Sequence, residues 1–247
     1  MNAPGWYIHK FGGTSLRDAD CFRQAADIIR EAAGTSPAPS LAVVVSAMGG
    51  MTDSLLALVE QAVRADPGFR DSLQLLRERY RAAVAALLGE SARDTVLAAF
   101  EEDAEVIVDV LRGVLRLRSA SQRTRDVVAG FGEIWSARLL GAVLRQALPA
   151  RQVDWLDTRE VIVVRHGEMG PGVVWTQSRD RLHGRVPPDF DGILVVTGYI
   201  ASDPDGLQTT LGRNGSDFTA SIMGALLGAR EITIWTDVTG VMSGDPR

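Results

Sequence analysis

The sequence predicts an α/β protein with a mostly parallel central sheet covered by helices on both faces. Three observations predict it. Leu41 to Val45 and Ile193 to Val196 are short β-branched runs bounded by turn residues, the pattern of strands buried on both sides. Segments with apolar residues at helical spacing separate these runs, and strands alternating with helices build parallel sheets. Loops rich in glycine and hydroxyl residues follow the strands, where open α/β sheets collect their ligands.

The elements follow in order. Gly5 to Phe11 alternates and meets Gly12-Gly13, so it reads as a first strand ending in a glycine turn. From Asp18 to Ala33, Phe22, Ala25, Ala26, Ile29 and Ala33 recur at helical spacing, with Ser15 placed to cap that helix. The strand Leu41–Val45 runs into the small-residue loop Ser46 to Gly50, and a helix is expected from about Asp53 to Ala65. Residues 69 to 118 read as helices without a strand. Ser119 to Arg125 is polar and reads as a loop, and Gly132 to Gln146 as a helix. Val153–Leu156 and Val161–Val164 look like short strands, whereas Gly167 to Arg185 has no clear period. The buried strand Ile193–Val196 leads to Thr197-Gly198-Tyr199. Gln208–Leu211 reads as an edge strand, Asp217–Gly228 as a helix, and Glu231–Thr236 as a last strand running into Asp237.

Composition narrows the function. Of 247 residues, 46% are apolar and 23% charged, the profile of a folded globular chain. A net charge of -5 argues against nucleic acid as a partner. The single cysteine, Cys21, builds no disulfide framework, reads as a small buried residue in a helix, and belongs to no cluster with metal-ligand spacing. The N-terminus lacks the basic and apolar regions of a signal peptide, and no apolar run reaches the roughly 18 residues needed to cross a bilayer. No membrane association and a cytoplasmic location are therefore expected. Lys10 is the only lysine among 26 basic residues. In a chain so skewed to arginine, a lysine kept in a glycine turn points to a position that needs an ammonium.

Two loops carry the chemistry most plainly. Lys10-Phe11-Gly12-Gly13-Thr14-Ser15 puts two glycines, two hydroxyls and the lone lysine between a strand and a helix start. Glycines let backbone N–H groups approach an anion, and a helix start adds positive potential. The order GxxxxGK[ST] is absent, so this is not a Walker A loop. Leu211-Gly212-Arg213-Asn214-Gly215-Ser216-Asp217 precedes a helix, and Arg213 has the fork geometry to pair a carboxylate. Asp217 could equally be a plain N-terminal helix charge, and Glu133, at the expected start of its helix, could be the same.

These loops resemble a known family. Lys10 to Ser15 is similar to the N-terminal signature of aspartate kinases, and Val45 to Asp53 to their second loop. Arg123-Thr124-Arg125-Asp126 through Phe131-Gly132-Glu133 resembles their central segment. Thr209 to Asp217 is similar to their most specific motif, in a form resembling kinases fused to homoserine dehydrogenase. Ile234 to Val238 with Asp245-Pro246-Arg247 resembles their nucleotide segment. The resemblance spans the chain and implies the amino acid kinase fold, a three-layer α/β/α sandwich.

What the resemblance implies can be set out position by position. Lys10 and Asp217 would be catalytic, Asp217 organising the lysine or the metal-bound nucleotide. Lys10, Gly12, Gly13 and Ser46 would hold the phosphates, with Thr14 beside them. Thr52, Glu133, Arg213 and Ser216 would bind L-aspartate, Arg213 taking a carboxylate and Glu133 the ammonium. Tyr199 stands where the family has Phe, beside the substrate. Thr236, Asp237 and Arg247 would contact ATP, used with Mg²⁺. Thr239 and Met242 depart from the Asp and Tyr of the family near that nucleotide. A homodimer is expected. Residues 1–247 would form one catalytic domain, C-terminally incomplete, lacking the end of the kinase fold and the ACT regulatory domains, and turning over slowly if at all. The competing expectations are another amino-acid kinase of this fold, or a module that binds without turnover.

Overall fold

The computed structural model describes residues 5–35, 38–66, 68–168 and 170–236. Five strands form one parallel sheet in the order β3-β6-β2-β1-β9. They are β1 (Trp6–Phe11), β2 (Ser40–Val45), β3 (Gln152–Leu156), β6 (Gly192–Thr197) and β9 (Glu231–Trp235). Two antiparallel ribbons sit apart from it: β4 (Val164–Gly167) with β5 (Gly170–Val173), and β7 (Ile200–Ser202) with β8 (Gln208–Thr210). The helices are α1 (Ala19–Ala33), α2 (Met51–Arg64), α3 (Phe69–Leu87), α4 (Glu90–Leu117), α5 (Gln122–Ala147), α6 (Trp175–Arg185) and α7 (Gly215–Leu227).

The pleat divides the core in two. Leu41, Val43, Val45, Ile193 and Val195 face the layer built from α1 to α5. Their neighbours Ala42, Val44, Leu194 and Val196 face α6 and α7. Successive strand residues point to opposite faces, so every residue of β2 is buried. The expected α/β/α layering is present, with the α1–α5 side two helices deep: α5 lies on the sheet, and α2 and α4 pack against α5. Of the described helices, α5 is long and apolar enough to cross a membrane. In this fold most of it is buried in protein, and its apolar surface serves the core.

Several expectations are corrected. Ser15 does not cap α1. It lies in the 3-10 turn Thr14–Leu16, and Asp18 caps the helix by accepting from the Cys21 N–H. Cys21, near the exposed start of α1, is half-buried rather than buried. The polar stretch 119–125 is mostly helix, because α5 begins at Gln122 with Ser121 as its cap. Arg123 and Arg125 there pair with Asp203 and Glu60, so the polar turn is anchored by carboxylates on other elements. Glu133 therefore sits in the middle of α5 and not in its first turn. Of the strand expected at 161–164 only Val164 belongs to β4; Val161 and Ile162 are core residues following a 3-10 turn. The stretch 167–185 holds β5 and α6. In α6 only Ser178 and Leu182 are buried, a stripe too narrow to announce a helix.

Candidate active site

The register of the sheet assembles the site. Phe11, the last residue of β1, pairs with Val45 at the end of β2 and with Trp235 at the end of β9, and Val45 pairs with Thr197 at the end of β6. The loops that follow thus leave the sheet side by side, about one strand spacing (~4.7–4.9 Å) apart. The ladder continues into them: the Ser46 N–H donates to Phe11 O at 3.1 Å and the Gly198 N–H to Val45 O at 2.8 Å.

Alternation along β1 turns Phe11 toward the α1–α5 layer and Lys10 toward α7. Lys10 is only 7% exposed, and its Nζ lies 2.6 Å from Oδ1 of Asp217, in the first turn of α7. The contact is an ion pair without the alignment of a directed hydrogen bond, and Asp217 Oδ1 has no hydrogen-bond partner. A compact ammonium is thereby held at the sheet end, under Gly12, where an added Cβ would lie 3.5 Å from Nζ.

The loops touch through backbone. A Cβ on Gly49 would come within 3.0 Å of Gly13 O, and one on Gly13 within 3.2 Å of Ala47 O. Ser46 Oγ donates to Ser216 Oγ at 2.9 Å, tying the second loop to the start of α7. These contacts make a cavity of about 360 Å³, lined among others by Ser46, Thr52, Glu133, Tyr199, Arg213 and Ser216.

Glu133 is the buried charge of that cavity. Gly132 lets the second loop lie directly on α5, since a Cβ there would meet Ala47 Cβ at 2.8 Å. The Ala47 N–H then reaches the carboxylate, while Glu133 Oε2 has no partner. Burial pushes the Glu133 carboxyl up to about 8 against the pull of backbone hydrogen bonds. A buried, half-satisfied carboxyl lining a cavity is arranged to receive a cation.

Tyr199 lines the same cavity. Its backbone is left-handed (φ 67°), held by its N–H donating to Thr219 Oγ1 at 3.0 Å and by its carbonyl accepting from the Leu211 N–H at 2.7 Å. Burial raises its phenol, opposed by a hydrogen bond with Thr210, with Asp126 and Glu133 adding to the rise. Arg213 is exposed at the rim, and Asn214 (φ 58°) turns the chain into α7.

The sheet thus brings together Lys10, Gly12, Gly13, Ser46, Thr52, Glu133, Tyr199, Arg213, Ser216 and Asp217. Thr14 and Thr236 instead line a neighbouring cavity of about 320 Å³ with Phe11, Trp235 and Cys21. Asp237, Thr239, Met242 and Arg247 lie outside the described residues. Among the described residues no three His, Cys, Asp or Glu side chains gather as a metal site. Three parts of the site were missed from sequence: the Ala47 N–H that holds Glu133, the Asp126–Thr210 pair behind Tyr199, and the close approach of Gly198 to Ser216. Only the last had a signal, a glycine just after a buried strand.

At the strand ends the glycine loops and the Lys10 ammonium thus adjoin a cavity that carries a buried carboxyl. The model of the amino acid kinase family matches residues 5–247, and the chain belongs to that family. It is 37% identical over 245 residues to bifunctional aspartokinase/homoserine dehydrogenase 2 of Arabidopsis thaliana, covering 98% of this chain and 26% of that protein. To bifunctional aspartokinase/homoserine dehydrogenase 2 of Escherichia coli it is 36% identical over 246 residues, covering 99% and 29%. Among solved structures, E. coli aspartokinase III in complex with aspartate and ADP superposes with a TM-score of 0.83 at 29% identity, covering 97% of this chain and 51% of that one. The chain therefore spans about a quarter of the length of the bifunctional relatives.

Proposed function

We propose that this chain carries the kinase site of an aspartokinase, transferring the γ-phosphoryl group of ATP to the side-chain carboxylate of L-aspartate to give 4-phospho-L-aspartate. One observation carries the reading: a single cavity beside the Lys10–Asp217 pair gathers a buried carboxyl for an ammonium, an arginine for a carboxylate, and hydroxyls between them.

In this reading Glu133 takes the α-ammonium and Arg213 pairs a substrate carboxylate, with Thr52 and Ser216 fixing the amino acid between them. The other carboxylate is aimed at the glycine loops. Its oxygen forms a bond to the γ-phosphorus as the bond to the β–γ bridging oxygen breaks, and ADP carries away the electron pair. The nucleophile is already ionised, so no base is required. Lys10 and the backbone N–H groups of Gly12, Gly13 and Thr14 neutralise the meeting anions. Mg²⁺ would enter held chiefly by the phosphates of ATP, supplying charge neutralisation there. Oδ1 of Asp217 is taken by the Lys10 ammonium, so the exposed part of that carboxylate is what would neighbour the ion. Thr236, Asp237 and Arg247 are proposed for the nucleoside side. A homodimer, a cytoplasmic location, no membrane or nucleic-acid partner, and a role in lysine, threonine and methionine synthesis belong to the same proposal.

The test is a coupled assay of ADP release with trapping of the acyl phosphate as a hydroxamate, with L-aspartate and with L-glutamate. Aspartate-dependent product with little from glutamate is expected. Turnover of glutamate instead would assign the chain to another amino-acid kinase. Aspartate binding without turnover would make it a binding module.

A further inference from the structure

Arg79 lies on α3, away from the sheet ends, and the loop signatures gave no reason to single it out. Its guanidinium nevertheless reaches the site. Nη2 donates to Gly49 O at 2.6 Å and to Arg17 O at 3.1 Å, and Nη1 lies 3.8 Å from where a Cβ of Gly50 would stand. Gly49 belongs to the second loop, and Arg17 closes the 3-10 turn of the first. Among the described residues Arg79 makes no ion pair with a carboxylate, although most arginines packed around α3 and α4 do. Its charge is delivered to backbone carbonyls.

We propose that Arg79 is a positioning residue that clamps the two glycine loops into one phosphate cradle. The contact it spans is close: a Cβ on Gly49 would meet Gly13 O at 3.0 Å and Arg17 Cβ at 3.3 Å. The ladder ties the two loops only at their start, through the Ser46 N–H on Phe11 O, and Arg79 ties them again further out, at Gly49 and Arg17. The peptide is planar and trans, so its C=O and N–H point in opposite directions. Binding Gly49 O to Arg79 therefore turns the Gly50 N–H away from the guanidinium, and Gly50 lines the cavity. One nitrogen, Nη2, serves both carbonyls through its two N–H groups, and a lysine ammonium on a shorter stem would reach that point less well.

The inference rests on the proposed kinase reading for its consequence, and on geometry alone for the clamp. The experiment compares wild type, Arg79→Met, Arg79→Lys and, as a control on the same helix, Arg81→Lys, in the full-length protein. Amide hydrogen exchange across residues 13–17 and 48–51 should speed up together in Arg79→Met, partly recover in Arg79→Lys, and stay at the wild-type rate in Arg81→Lys. In the aspartate-dependent assay, kcat of Arg79→Met should fall on the order of 100-fold, the loss expected for a misplacement of about 1 Å. KM for aspartate should change by a smaller factor than kcat, since Glu133 and Arg213 stand on other elements and only Thr52 and the Ala47 N–H move with the second loop. A merely structural role would lower the melting temperature and speed exchange along all of α3 without this split. Unchanged exchange in both loops, or exchange rising in only one of them, overturns the clamp. Coupled exchange in a protein that phosphorylates no amino acid would uphold the clamp and sink the kinase reading.

Discussion

Lys10 Nζ lies 2.6 Å from Asp217 Oδ1, and this pair joins the end of the first strand to the first turn of the last described helix. Lys10 is nearly enclosed, whereas the Asp217 side chain remains 42% exposed. The lysine thus presents a fixed charge, and the aspartate holds it from a side open to solvent.

Lys10→Arg should cost at least about 100-fold in kcat with the fold intact. The guanidinium is planar and longer than the ammonium, and the space beneath Gly12 and beside Asp217 is sized for the smaller group. Aspartate binding should change little, because Lys10 points at α7 and not into the cavity around Glu133. The measurement is kcat, aspartate affinity and melting temperature side by side. Near-normal turnover would make Lys10 an ordinary buried lysine.

Arg213→Ala should raise KM for aspartate and leave KM for ATP close to wild type. Arg213 stands at the rim and is exposed without ligand, so its removal leaves no buried charge behind. Losing a charge-assisted pair that becomes desolvated on binding costs on the order of 2–5 kcal/mol, and exposure places this case at the lower end. Steady-state kinetics with each substrate varied in turn decides it; a loss confined to ATP would reassign the residue.

The parallel sheet and the order of its loops could be read from sequence because buried strands are local signals. Leu41–Val45 and Ile193–Val196 have no polar residue to hide. What failed was context supplied by distant partners. The start of α5 looked like a loop because Gln122 to Arg125 are polar, and only Glu60 and Asp203, far off in sequence, make those charges at home in a helix. The same error made Glu133 look like helix-end decoration. Its burial comes from the second loop lying on Gly132, a contact between residues some 85 positions apart that no local pattern records. The roles of Lys10, Arg213 and Ser216 came from motif resemblance, and the sheet register explains why those motifs meet.

Gly198→Ala should destabilise the protein and damage the site together. A Cβ there would stand 2.7 Å from both Val45 O and Ser216 Cβ, and neither the strand carbonyl nor the start of α7 can give way cheaply. Overpacking of this kind costs roughly 1–3 kcal/mol. It should also displace Ser216 from Ser46. Gly113→Ala is the contrast: it lies inside α4 with nothing within 4 Å of its Cβ, so it should stabilise by about 0.5–1 kcal/mol. Urea denaturation of the two variants checks both signs.

Glu133 makes the last prediction, a pH dependence with a definite sign. Its carboxyl is raised from 4.5 to about 8, mainly by burial, so between those values it is ionised in the unfolded chain and protonated in the free folded protein. The folded state then binds the extra proton, and stability falls as pH rises through that window, by up to about 1.4 kcal/mol per pH unit. The contribution is fully present below the unfolded value and lost as pH passes the folded one. Glu133→Gln removes the titration, so its stability should be flatter than wild type between pH 5 and pH 8. A ligand ammonium reverses the balance, because a cation beside Oε2 favours the ionised form. Aspartate should therefore bind more tightly as pH rises toward 8, releasing a proton below that pH, and Glu133→Gln should bind weakly without this slope. Denaturation and calorimetric titration at pH 5.5, 6.5 and 7.5 in two buffers of different ionisation enthalpy measure both effects. Aspartate binding to wild type that neither varies with pH nor releases protons would remove Glu133 from the ammonium site.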